Sequence, residues 1–352
     1  MAIDEAKLEE FMGKAVTELG AGLGLALHRL GDDLGIWKAM AGAGALTPAE
    51  VAERTGCHER YIREWLAAET TGGYVDYNET TGTFTLADEV AFAMANEDSP
   101  VFLGGAFQMA ASAWDSLPKV RQAFTTGDGV ASADHSHDLF VGVERFFRPG
   151  YNAHLLSSWL PALDGVVEKL ERGATVADVG CGHGATTIIL AEAFPNSTFA
   201  GFDYHDASIL AARKRAADAG IADRVRFEVA KAQDYPGTGY DLVACFDCLH
   251  DMGDPDGAAR HVRSTLVEDG TWLLVEPHCD GSLAMSVNPV GRVFYVGSTL
   301  LCLPASLADE GRRGLGSQVP DSDWQTILSA AGFSRVRRAT ETPLNRVFEV
   351  RP

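Results

Sequence analysis

The chain has 352 residues, 46% of them hydrophobic, which is comfortable for two domains with substantial cores. Its formal charge of −20, with no lysine- or arginine-rich tract, argues against a phosphate backbone or an anionic lipid surface as partner. The acidic start MAIDEAKLEEFMGK lacks the basic and apolar regions of a signal peptide, and no apolar run approaches the ~20 residues of a membrane span, so a cytoplasmic location is expected.

Residues 1–98 read as mostly helical. Within them LTPAEVAERTGCHERYIREWLAAETTGGYVDYNETTGTFTLADE gives helix, turn at Thr55 and Gly56, helix, then a two-stranded ribbon turning at Thr81 and Gly82. Thr47 and Glu50 across Pro48 form a capping box that opens the first of these helices. The succession is a winged helix, a fold that often binds DNA, yet residues 1–100 hold 7 Lys and Arg against 18 Asp and Glu. With no basic footprint, a packing or dimerisation module is the expectation, and a homodimer with it.

Residues 99–172 carry aromatic-rich helical segments, FLGGAFQMAASAWDSL and DHSHDLFVGVERFFRPGYNAHLLSSWLPALDGVVEKL. Such stripes usually serve a core. Placed between a module and a catalytic domain they also make a substrate-pocket segment, with Trp114, Phe146, Phe147, Arg148 and Tyr151 as candidate acceptor contacts. His135 and His137 in DHSHD have no identifiable third and fourth ligands, so they read as a solvated loop and no metal is expected.

From 173 to 352 strand and helix patterns alternate. Strands are expected at 175–179, 198–202, 225–229, 240–246, 271–276, 334–339 and 345–350, and helices at 184–193, 206–219, 255–267 and 321–331. Repeated βα units demand a parallel sheet covered by helices on both faces, and the short ATETPLN link makes the last two strands an antiparallel edge pair. The stretch 277–320 breaks the rhythm and reads as a lid-like insert, with Phe294 and Tyr295 too apolar for a free loop and Gly281, Gly291 and Gly297 allowing bends. Six cysteines are scattered; only Cys245 and Cys248 have C-x-x-C spacing, and on a strand they point to opposite faces, which makes zinc improbable.

The segment VADVGCGHG places Gly180, Gly182 and Gly184 between a buried strand and a helix, where glycines let a ligand approach the backbone. Asp203 ends the second strand, 23 residues after Gly180, where a carboxylate can accept both hydroxyls of a ribose; the N-cap of the following helix falls to Asp206. The spacing is G-x-G-x-G rather than the dinucleotide G-x-G-x-x-G, and Asp178 just before the loop would repel a diphosphate. It suits a cationic methionine moiety, which points to S-adenosylmethionine.

On these residues Val176 to Val350 resembles the class I S-adenosylmethionine-dependent methyltransferases: VADVGCGHG is similar to their first motif, FD at 202–203 to their ribose acid, YDLVACFDCLHDMGDP to their fourth strand and GTWLLVEP to their fifth. The acidic module in front resembles the dimerisation domain of small-molecule O-methyltransferases, in particular an actinobacterial group with this two-domain build. The resemblance implies a Rossmann-like seven-stranded sheet with one antiparallel strand behind an N-terminal, mostly α winged-helix domain. It implies that Asp178, Gly180, Gly182 and Gly184 surround the methionine part, Asp203 with neighbouring Tyr204 the ribose side, and Asp247 the methionine or the methyl-transfer site, with S-adenosyl-L-homocysteine as product. Two departures stand out. VAKAQDY offers only Gln233 or Asp234 for adenine, and Met252 stands where plant-type enzymes carry tryptophan after His-Asp.

Methyl transfer to a hydroxyl needs alignment, water exclusion and a base. His250 in LHD is the candidate base, by its place beyond strand four and by resemblance to the O-methyltransferase base. Carbon or nitrogen methylation without a histidine base, and a non-catalytic cofactor-binding regulator using the winged helix, are the alternatives. His183 in the loop packs by the cofactor, and Arg148, Arg292, Arg312 and Arg313 flank the pocket, where they could hold an anion or simply face solvent.

Overall fold

The computed structural model describes residues 3–352. The chain divides into two compact units: residues up to Ser112 with Val141–Pro149 form the first, and Ala113–Phe140 with Gly150–Pro352 the second. The stretch 99–172 is thus shared between them.

In the first unit α1 (Glu5–Asp33) and α2 (Ile36–Met40) precede α3 (Pro48–Thr55) and α4 (Glu59–Thr71), the hairpin β1 (Asp76–Asn78) and β2 (Thr83–Thr85), then α5 (Asp88–Met94) and α6 (Gly104–Asp115). The capping box at α3 is formed in both directions, the Glu50 amide donating to Thr47 Oγ1 at 3.3 Å and the Thr47 amide to Glu50 Oε2 at 2.7 Å. Trp37, Ile62, Trp65, Leu66 and Phe84 make the core. On α4, Arg60 and Arg63 each pair with a glutamate one turn away, Glu64 and Glu59. Helix α1 packs on this core through His28 and Gly31 near its end. Leu8, Phe11, Met12, Val16, Leu19 and Leu23, on the other side by helical spacing, are exposed.

The second unit holds α7 (Leu117–Thr126), the ends of α8 (His137–His154), α9 (Val166–Arg172) and then the sheet units: β3 (Thr175–Val179), α10 (Ala185–Ala193), β4 (Thr198–Asp203), α11 (Asp206–Asp218), β5 (Val225–Val229), β6 (Tyr240–Phe246), α12 (Pro255–Thr265) and β7 (Leu266–Pro277). Helices α13 (Pro289–Gly297), α14 (Leu303–Ala308) and α15 (Asp321–Ala330) lead into β8 (Arg335–Glu341) and β9 (Asn345–Arg351). The sheet order is β5-β4-β3-β6-β7-β9-β8. Strand β9 alone runs antiparallel, against both β7 and β8. The chain winds outward from β3 to β5 and then returns to place β6 on the other side of β3, so the order reverses between β3 and β6 and opens a crevice at their carboxyl ends. Strand β6 is almost wholly buried because it is central and covered on both faces.

The insert departs from expectation. Helices α13 and α14 are joined by a π turn at Ser298–Cys302 into one run, Pro289–Ala308, of mean hydropathy 1.4 and 28% buried. By length and composition it is long and apolar enough to cross a membrane, against the expectation that no apolar run approaches that span. Gly291 and Gly297 both lie inside α13; a Cβ at Gly291 would come within 2.1 Å of Ser286 O, so that glycine admits a close backbone approach, while one at Gly297 would meet nothing within 4 Å. The end of the run is clasped to the turn after β6: Ser306 Oγ donates to Met252 O at 2.8 Å and the Arg313 amide to Gly253 O at 2.9 Å.

Candidate active site

The glycine loop leaves β3 and is tied to β4 by the Gly180 and Cys181 amides, which donate to Phe202 O at 2.8 and 3.0 Å. All three glycines have positive φ. A side chain at Gly180 would meet Cys248 Sγ at 2.6 Å and one at Gly184 would meet the Phe227 ring at 2.7 Å, so both are packing-enforced; at Gly182 nothing lies within 4 Å. That open face is bounded by Asp203, whose Oδ2 accepts from the Gly182 amide at 2.9 Å and Oδ1 from the His205 amide at 2.9 Å. His205, not Asp206, stands at the N-cap position of α11, with its amide held by Asp203 and no capping bond from its side chain. Beneath the loop Asp178 is buried; Thr186 and Thr187 hydroxyls donate to its Oδ2 at 2.7 and 2.6 Å, while Oδ1 has no partner. Burial raises its pKa to about 6 against those two hydrogen bonds, and burial also raises that of Asp203.

At the exit of β6 Asp247 takes a left-handed conformation, φ 51°, which among the described non-glycine residues only Arg312 shares. Its carboxyl accepts from Tyr151 Oη at 3.1 Å and from Asn345 Nδ2 at 2.8 Å. Burial, with Glu276 nearby, lifts its pKa to about 8. The left-handed step also turns Cys248 back onto the side of Cys245, against the alternation expected of a strand; the two thiols face one another and both are free. In the following turn His250 is 3% exposed and its Nδ1 lies 2.7 Å from Glu276 Oε2. Glu276, fully buried at the end of β7, also accepts from the Leu249 amide at 3.1 Å, so it fixes the turn as well as the ring. Burial disfavours the imidazolium, but Glu276 and Cys302 of the insert outweigh it and hold the His250 pKa well above its ordinary value. Burial takes Asp251 to about 7.

Sequence reasoning missed Glu276 and Asn345. A carboxylate closing the apolar strand GTWLLVEP was the available signal for the first; nothing in the sequence pairs Asn345 with Asp247. It also missed the strap 127–140: Ser132 bonds to Tyr204, Phe140 stacks on His205 with ring centroids 4.2 Å apart, and the Val130 amide donates to Pro304 O at 3.0 Å. Of the adenine candidates, Gln233 donates to Asp254 O at 3.0 Å and Asp234 is exposed. Phe294 is buried and Tyr295 half-exposed on α13, and Trp114 is exposed at the end of α6. Phe146 and Phe147, edge to face at 4.9 Å, belong to the first unit, as does Arg148, which pairs with Glu144 and Glu97. His135 is not solvated as expected: it is half-buried and bonds Ser116 Oγ at 2.8 Å. Arg312 and Arg313 pair with Asp128 and Asp256, and His183 is buried in the loop.

The crevice fits S-adenosylmethionine on the structure's own terms: an orphaned carboxylate oxygen on Asp178, open space over Gly182 and a pinned acid at the end of β4. Residues 170–312 match the methyltransferase domain model and residues 21–96 the Rv2258c-like winged HTH domain model. A mitomycin biosynthesis 6-O-methyltransferase of Streptomyces lavendulae is 23% identical over 88% of this chain and 85% of its own. The match covers only 23% of an uncharacterized Synechococcus protein, 31% identical, and 7% of a highly reducing polyketide synthase of Phaeosphaeria nodorum, 26% identical. In fold the chain is similar to mitomycin 7-O-methyltransferase MmcR, with TM-score 0.71, 20% identity and coverage of 99% and 100%. It is similar too to human N-acetylserotonin methyltransferase solved with S-adenosylmethionine, with TM-score 0.70, 14% identity and coverage of 100% and 99%. Residues 170–312 thus form a methyltransferase domain whose crevice fits S-adenosylmethionine. Ahead of it in the chain, residues 21–96 form a winged helix-turn-helix domain.

Proposed function

We propose that the protein methylates a hydroxyl of a small, hydrophobic or aromatic metabolite, with His250 as general base. The observation that carries this reading is the buried His250–Glu276 pair at the carboxyl end of β6, at 2.7 Å. When bound, S-adenosylmethionine supplies an electrophilic methyl group on a sulfonium. Asp178, Gly182 and Asp203 would hold it, with Tyr204 alongside, and Asp247 would border the methyl-transfer side. Glu276 orients the imidazole through Nδ1, and Nε2 would take the acceptor proton in exchange for the hydrogen bond that the ring makes with Cys302, while the apolar insert keeps water away. Because His250 is held protonated above its usual range, turnover should climb as pH rises beyond that range. His250→Ala should leave S-adenosylhomocysteine affinity nearly intact and lower turnover by ~10²–10⁴ in an assay with a panel of phenols. Near wild-type turnover in that variant would make the pair a structural tie and favour a carbon or nitrogen acceptor.

The winged unit is read as a dimerisation module rather than a DNA reader. Its support is the exposed apolar stripe of α1, opposite the face that packs on its own core, together with the neutralised arginines of α4. Light scattering should report about twice the 37.6 kDa chain mass. A monomer at every concentration, or duplex DNA bound tightly at physiological salt, would contradict it.

A further inference from the structure

Five acids converge on the carboxyl edge of the sheet: Asp178 on β3, Asp203 on β4, Asp247 and Asp251 beyond β6, and Glu276 on β7. Elsewhere in the chain acids meet arginines, as Asp321 does with Arg338 and Arg346, and Asp164 with Arg335 and Arg337. At this edge, among the described residues, no lysine or arginine pairs with any of the five. The carboxylates of Asp178, Asp203 and Asp247 are held by neutral donors: threonine hydroxyls, two backbone amides, a tyrosine and an asparagine. Two histidines face these acids: His250, which is closed on Glu276, and His205 beside Asp203, whose ring bonds Ser208 Oγ at 2.8 Å. Asp178 keeps one oxygen with no partner.

Carboxylates gathered in a low-dielectric crevice with no lysine or arginine and only two histidines beside them cannot all be ionised at low cost, so a bound cation would be favoured there. In methyl transfer the bonding pair of the broken carbon–sulfur bond stays on sulfur, and the sulfonium becomes a neutral thioether. Donor and product otherwise carry the same adenosine, ammonium and carboxylate. We propose that this acid cluster is a charge selector, holding the sulfonium donor in preference to the thioether product, with a preference that grows as pH rises.

The inference rests on the donor lying at this edge. The groups that face the acids are consistent with it. Asp247 faces Glu276, His250 and Tyr151; Asp251 faces His250, Glu276 and Asp203, with Tyr204 beside it; Asp178 faces Asp203 and Cys181. With burial holding Asp178 near 6, Asp251 near 7 and Asp247 near 8, the cluster gains negative charge between about pH 6 and pH 8. A cation favours the ionised acids and so expels protons on binding; a neutral sulfur does so less.

Calorimetry on the full chain with S-adenosylmethionine and S-adenosylhomocysteine tests this, at about pH 6 and about pH 8.5 in buffers of different ionisation enthalpy. The ratio of the two affinities should move toward the donor by about tenfold or more between those values. The buffer dependence of the heat should show more protons released by the donor than by the product. Asp247→Asn and Asp251→Asn, checked for an unchanged fold by circular dichroism, should flatten the trend. If both ligands bind and their ratio is the same at both pH values, or moves toward the product, the charge selector is wrong while the cofactor site stands. If neither ligand binds at any pH, the cofactor site itself is wrong and the inference falls with it. Wild-type data decide even if a variant does not fold.

Discussion

Asp203 has the most clearly defined local task of the candidate site residues. Two backbone amides, from Gly182 and His205, fix its carboxylate at the end of β4, and that fixing is what a ribose contact requires. Asp203→Ala should therefore weaken S-adenosylhomocysteine binding by about 1.5–3 kcal/mol, roughly 10- to 100-fold by calorimetry, with an unchanged melting profile as control. Unchanged affinity would remove the ribose assignment. Asp203 and Asp178 were legible in the sequence because each stands at a fixed offset from a strand end and a glycine loop. Glu276 was not, because its meaning depends on His250, which lies 26 residues away along the chain and 2.7 Å away in space. Asp247 was legible as a residue at the end of a strand, but not as a strained position; non-glycine residues in the left-handed region gather at functional sites, and only backbone coordinates reveal them.

Among elements, the insert and the strap carry the dynamics. The insert's last turns are fastened to Met252 and Gly253, next to the His250 turn, and Gly129 of the strap lies so close to α14 that a Cβ would come within 2.1 Å of its backbone. The earlier part, around Leu283, Met285 and Val287, is exposed. The lid reading of 277–320 thus expects closure from the exposed end, pivoting on the fixed one. Hydrogen exchange across 281–310 should slow when S-adenosylhomocysteine and a phenolic acceptor analogue are both present. If that segment exchanges as freely with both bound as without them, it is not a lid. The strands were legible because their composition and their spacing from the intervening helices agree: each of the seven sheet strands lies where the apolar runs placed it, to within a few residues, β7 starting earlier than expected. The helix inside the insert was not, because its glycines read as bends, and the close approach of Ser286 that calls for Gly291 appears only in the fold.

For the whole molecule the sign of the pH dependence follows from the buried acids. Asp178, Asp247 and Asp251 have folded-state values of about 6, 8 and 7, above the ~3.9 of an unfolded aspartate, so the folded chain binds more protons between about pH 4 and pH 8. Stability must fall as pH rises through that window, and His250, raised by Glu276, loses its contribution in the same direction. The carboxylates lowered by arginine or lysine partners, Asp321 and Glu97 among them, act only when pH drops toward their own low values. Calorimetric scans of the cofactor-free protein should therefore show a melting temperature several degrees lower at about pH 8.5 than at about pH 6. A flat or rising trend would mean that the acids at the sheet edge are less buried than their surroundings indicate.

The fold class, the glycine cradle, the acid at the end of β4 and the position of His250 could be read from residues alone, because all four are written in local patterns: strand runs, glycine spacing and offsets from strand ends. The exposed apolar face of α1, the pairing of His250 with Glu276, the triad of Tyr151, Asp247 and Asn345, and the clasp of the insert on the β6 exit were decided by tertiary structure alone. The face of α1 is exposed because the core of its unit packs only on the far end of the helix; the other three join residues far apart in the chain whose meeting depends on sheet order, and sheet order is set by how whole βα units pack rather than by any one stretch of residues.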